Sequence, residues 1–246
     1  MIVKHCEEGW DIVSHYAHGL LAGKIAQQLQ IDLRPKFWLD TLTAIVEHDD
    51  HLLDFEEQNY LSENGMPLDF TMSCGTNSET LEHAKRVYEN SLQKSHLIAL
   101  LVGRHLEFLY EGLAEEYAPM KKFLENIKSD RSKQRSIYKI SKSDEDHSYD
   151  ILLFCDRLSL ILCQDEIPEV ERKLEINSTI KDKTYFINQK DDIYFIEPWC
   201  FEQDIIDVEH EYRILDQPSF DSNTALKKAL EAAPIKLRYF KLRKSS

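Results

Sequence analysis

Glycine is scarce in this chain, at 7 of 246 residues, about 3 per cent against a usual roughly 7. Neither the Gly-x-Gly-x-x-Gly fingerprint nor a Gly-x4-Gly-Lys-Ser/Thr loop occurs, which excludes the glycine-rich cradles that hold dinucleotides and triphosphates. Basic charge is also short. Thirty Lys and Arg against 44 Asp and Glu give a formal charge of −14, a field that repels phosphate backbones and anionic lipid. Neither nucleic acid nor membrane is expected as a partner. The five cysteines contain no Cys-x-x-Cys pair, and with no signal-like segment at the start the chain reads as reduced and cytoplasmic. Long apolar runs are missing too, the best (Tyr149 to Cys163) being broken by Asp156 and Arg157. A chain of this length has core enough to fold without a disulfide or structural metal. What it does have is histidine, 10 residues, and in a helix-rich chain that directs attention to metal sites.

Apolar residues recur at helical spacing from Ser14 to about Glu166, predicting helices near 14–30, 36–48, 79–93, 95–113, 117–141 and 147–164. A polar loop from Asn59 to Ser78 separates the second from the third and is long enough to lid a site. Beyond Pro168 the pattern changes to short β-rich runs at 183–187, 191–196 and 205–215, then a short helix ending near Pro234 and a last strand over 235–242. The expected fold is therefore mainly α: a helical bundle over 1–166 carrying a small α+β appendage over 167–246.

Four ionisable positions interrupt apolar helix faces. His18 continues the row Ala22, Ile25, Leu29; the pair His48-Asp49 ends the stripe Trp38, Leu42, Ile45; His105 continues Ile98 and Leu101; Asp156 lies on the row Leu152, Ser159, Cys163. Each has a bland reading as a capping or satisfied core residue, and His15, one turn before His18, is a rival on the same face. An ionised carboxylate among apolar neighbours is costly to bury without a compensating cation. A metal ion accounts for all four positions together.

The ordered pattern of a His, a His-Asp pair and a distant Asp resembles the HD-domain superfamily of metal-dependent phosphohydrolases, which is all-helical. The resemblance covers about residues 14 to 165 and implies His18, His48, Asp49 and Asp156 as ligands. Members with two metals add two histidines in between, which implies His83 and His105. A closer likeness, to uncharacterised and mainly bacterial proteins of similar length, runs through His18-Gly19-Leu20-Leu21-Ala22-Gly23, His48-Asp49-Asp50, Asp156-Arg157-Leu158-Ser159-Leu160 and Pro198-Trp199-Cys200-Phe201. It implies a fold and no substrate. The pair is followed by Asp50 and His51 where the cyclic-dinucleotide phosphodiesterases have Gly-Lys, and no second histidine adjoins His105, so that substrate is not expected.

The implied activity is phosphoester hydrolysis of a small nucleotide or other phosphorylated small molecule, with one or two divalent transition metal ions (Fe, Mn, Co, Ni or Zn) activating water. Asp49 would bridge the ions, with Asp50 and His51 as proton-transfer groups beside it. Lys85, near His83, and Arg104, beside His105, are candidates to hold the phosphate, against a reading of both as solvated cations. Two other readings stand beside hydrolysis: a di-iron oxygenase with the six-ligand set, and a metal- or ligand-binding regulatory module without turnover.

Overall fold

The computed structural model describes residues 1–49, 55, 59–72, 75–165, 167–168, 172–177 and 180–245. In chain order these form β1 (Ile2–Cys6), β2 (Gly9–Val13), α1 (His15–Gln27), α2 (Trp38–Glu47), α3 (Asn77–Lys94), α4 (His96–Glu116), α5 (Ala118–Tyr138), α6 (Lys142–Gln164), β3 (Leu174–Asn177), β4 (Tyr185–Lys190), β5 (Ile193–Glu197), β6 (Ile205–Leu215), α7 (Asn223–Ala232) and β7 (Lys236–Lys244).

The helices start where short polar side chains can satisfy free backbone N–H groups. Ser14 accepts from the amide of Ala17 at the head of α1, and Ser95 accepts from Leu97 and Ile98 at the head of α4. Thr76 with Glu79, and Ser141 with Asp144, form reciprocal capping boxes on α3 and α6. All six helices expected before residue 166 are present, with ends displaced by a few residues.

The expectation of a mainly helical, all-α body is overturned. The fold is α+β, 53% helix with 21% of residues in a curled seven-stranded mixed sheet, in the order β1-β2-β6-β7-β5-β4-β3. Two of those strands come from the first thirteen residues. β1 and β2 make a hairpin closing at Cys6 and Gly9, and β2 then pairs antiparallel with β6, Trp10 against Leu215. Both strands are only five residues long and carry charges, so neither presents a run that sequence periodicity can detect. Gly9 is required where it stands: its φ is +129°, and a Cβ there would lie 2.0 Å from the Leu215 carbonyl oxygen.

Helices and sheet share one core. Leu21 and Ile25 of α1 and Phe154 and Leu158 of α6 are buried in the same cluster as Ile196, Val208 and Leu242 of the sheet. Phe154 meets Tyr185 edge to face at 5.1 Å between ring centroids. Burying each such side chain contributes about 1.5–3 kcal/mol, so the packing of α1 and α6 on the sheet fixes where those two helices stand. Among the described residues no helix is long and apolar enough to cross a membrane.

Candidate metal centre

α1 lies close against the end of α2 because it has no side chain at the points of contact. A Cβ on Gly19 would sit 2.3 Å from the carbonyl oxygen of Val46, and one on Gly23 would sit 2.5 Å from Val46 Cγ2. That approach carries His18, beside Gly19, to His48 at the C-terminal cap of α2, with their Nε2 atoms 3.3 Å apart. Asp156, midway along α6, completes the group: its Oδ1 is 3.0 Å from His48 Nε2 and 3.2 Å from His18 Nε2. All three residues are buried.

The hydrogen bonds behind the imidazoles decide what these atoms offer. His48 Nδ1 is 2.6 Å from the carbonyl oxygen of Ile45, an acceptor only, so Nδ1 carries the proton. His18 Nδ1 is 3.0 Å from Ser159 Oγ, whose own proton goes to the carbonyl of Asp156, so Ser159 accepts and His18 Nδ1 is again the donor. Both Nε2 lone pairs therefore face a carboxylate oxygen. Three acceptors within about 3 Å repel one another unless a cation sits among them, and two nitrogens with one oxygen suit a divalent transition metal. The residues fit such an ion.

Without the ion a proton takes that role. Burial opposes charge on His48, but Asp156 and, more weakly, Asp49 outweigh it and raise the imidazole to about 9. Asp156 is held far below the ordinary carboxylate range: burial works against its ionisation and is outweighed by the charge of His48 and hydrogen bonds from both histidines. His105 behaves oppositely, pushed down to about 4 by burial and then by the charge of His48. Its ring meets that of His48 edge to face at 4.9 Å, Nε2 is 4.0 Å from Asp156 Oδ2, and its buried Nδ1 has no hydrogen-bond partner among the described residues. It stands in reach of the second oxygen of Asp156 as a neutral imidazole.

Asp49 bonds to α1, where its Oδ2 is 2.5 Å from His15 Nδ1. His15 is buried and meets Phe70 edge to face at 5.2 Å. The charge of Asp49 acts on His48 and His105, and on Tyr110, whose hydroxyl is raised to about 12 by burial and by that charge.

Of the residues singled out in the sequence, the structure brings His18, His48 and Asp156 into one ligand group, with Asp49 and His105 at its edge. His83 is buried on α3, with Nδ1 3.3 Å from Arg86, and is not part of that group. Lys85 is paired with Glu82 on the helix surface. Arg104 points to Glu145 and Asp146 and lies over the ring of Tyr149 at 4.4 Å. Asp50 and His51 lie outside the described residues. Two contributors went unpredicted in their roles. Ser159 follows Asp156 by three positions on the same helix face, a spacing that could have marked it. His15 and His18 were rivals for one role, and the structure uses both.

Residues 1–217 match the family described as a protein of unknown function, DUF3891, and the chain belongs to that family. No curated protein and no solved structure matches it.

Proposed function

We propose that this family member is a metal-dependent phosphohydrolase of the HD type, acting on a small phosphorylated molecule in the cytoplasm. The observation that carries the reading is the convergence of His18 Nε2, His48 Nε2 and Asp156 Oδ1, with both Nδ1 protons fixed elsewhere. A divalent ion (Fe, Mn, Co, Ni or Zn) bound there supplies Lewis acidity toward a phosphoryl oxygen and a water made nucleophilic near neutral pH. The protein's own groups do the rest. Ile45 and Ser159 hold the two imidazoles in the ligating tautomer. Asp49 holds His15 at Nδ1, which leaves that ring to take up or release a proton, as general acid–base catalysis requires.

The test is the metal content of protein purified without chelator, followed by turnover on a panel of phosphoesters. At least one equivalent of metal and chelator-sensitive phosphate release are expected. Metal-loaded protein that cleaves nothing on the panel counts against hydrolysis, and protein that takes up no metal under any loading condition sinks the reading.

His105 favours a second reading. A neutral, buried imidazole near the second oxygen of Asp156 suits a second ion, and with it the di-iron oxygenase chemistry of six-ligand centres. Oxygen consumption and a mixed-valent iron signal in electron paramagnetic resonance would distinguish it.

A further inference from the structure

A second concave surface opens between α4, α5 and the first turns of α6, with a cavity of about 340 Å3, within the size range of small-ligand sites. Arg104, Lys128, Arg131, Arg135 and Lys142 line it. On a chain of formal charge −14, five cations around one cleft run against the global balance.

Their arrangement is built from beneath. Glu145 is 2% exposed and takes three guanidinium groups: Arg104 Nη1 at 3.3 Å, Arg131 Nη1 at 3.5 Å and, through its other oxygen, Arg135 Nη1. Asp146 takes Arg104 Nη1 at 2.6 Å and Lys142 at 3.0 Å, and Glu107 takes Arg131 Nη2 at 2.9 Å. The Tyr149 ring lies against the Arg104 guanidinium. An ion-pair lattice that only tied the three helices together would be expected to balance its charge, yet here three carboxylates pair with four cations and Lys128 adds a fifth to the lining, leaving a surplus of two. Among the described residues Arg104 makes both its carboxylate bonds through one nitrogen, and Arg135 also uses only Nη1. The other N–H groups of these two guanidiniums are the forked donors that phosphate oxygens accept from. Because the carboxylates and the tyrosine ring already fix the side chains, a ligand need not supply the entropy of ordering them.

We propose that this cleft is a binding site for a small ligand carrying a diphosphate group, whose charge matches the surplus. It is separate from the metal centre. Arg104 and His105 leave α4 about 100° apart, and Tyr149 stands between them, its ring 6.4 Å from that of His105. The proposal does not rest on the metal reading.

The experiment is calorimetric titration of the chelator-stripped full chain with inorganic pyrophosphate, repeated at rising salt and with sulfate as comparison. One equivalent should bind, more tightly than sulfate and more weakly as salt rises. The double variant Lys128→Ala/Lys142→Ala, which removes two exposed cations, should weaken binding about tenfold or more with its melting temperature unchanged. His18→Gln, which disables the metal centre, should bind as the wild type does. Absence of binding overturns the proposal, as do equal affinities for sulfate and pyrophosphate or indifference to the double variant. Binding that needs added metal and is lost in His18→Gln would assign the diphosphate to the metal centre and overturn it as well.

Discussion

Gly19 of α1 faces the backbone carbonyl of Val46 at a separation that leaves no room for a Cβ, which would stand 2.3 Å from the oxygen. The contact is with backbone, so no rotamer change relieves it. Gly19→Ala should force α1 from α2 and cost about 1–3 kcal/mol, lowering the melting temperature by several degrees at about 2–4 °C per kcal/mol for this chain length. Metal affinity should fall with it, since His18 moves with its neighbour. Gly23 makes a useful contrast. Its Cβ would meet the Val46 side chain at 2.5 Å, so Val46→Ala should rescue Gly23→Ala and leave Gly19→Ala uncorrected. Equal rescue of both would refute the distinction.

In metal-free protein the proton shared by the centre should set a pH dependence. His48 is raised from 6.5 to about 9 in the folded state, so its stabilising contribution is complete below pH 6.5 and lost as pH rises through 9. His105 is lowered from 6.5 to about 4; its neutral form is what folding favours, so its contribution is complete above 6.5 and lost as pH falls toward 4. The difference in melting temperature between wild type and His48→Gln isolates the first effect, which should disappear between pH 6.5 and 9. Saturating metal should abolish that slope, because the ion replaces the proton. Imidazole resonances that titrate together near 6.5 would contradict both assignments.

How much of this could be read from the residues alone follows from where the physics is local. His18, His48 and Asp156 were legible because each interrupts an apolar helical row, and a polar group on a buried face needs a partner wherever the helix lands. That they meet was implied by the family resemblance and not by the rows themselves, since it depends on α1, α2 and α6 being brought together by the shared core. The hairpin at 2–13 was invisible for a related reason. Its stability comes from pairing with β6, some two hundred residues later, and nothing in its own short, charged strands announces that partner. Arg104 was placed by sequence adjacency to His105, but one residue along a helix turns a side chain onto another face, and it serves the cleft behind Tyr149.

Ser159 contributes no atom to a metal, yet it orients His18. Ser159→Ala should remove the acceptor of His18 Nδ1 and free the ring to change tautomer or rotate. Loss of such an outer hydrogen bond typically weakens metal binding about 10–100-fold, while the stability of the metal-free protein should fall by only about 1 kcal/mol. Competition against a chromophoric chelator measures the first and thermal unfolding the second. An unchanged metal affinity would show that Ser159 merely fills space.

His15 separates binding from chemistry. It is bonded to Asp49 and lies outside the group formed by His18, His48 and Asp156. If it moves a proton during turnover, His15→Gln should retain metal and lose about 10²–10⁴-fold in kcat, with little change in KM, and the limb of the pH profile that reports this imidazole should vanish. His18→Gln, by contrast, should lose the metal itself. A His15→Gln protein that loses metal to the same degree as His18→Gln would make His15 part of the ligand set, and the assignment of proton transfer to it would then be wrong.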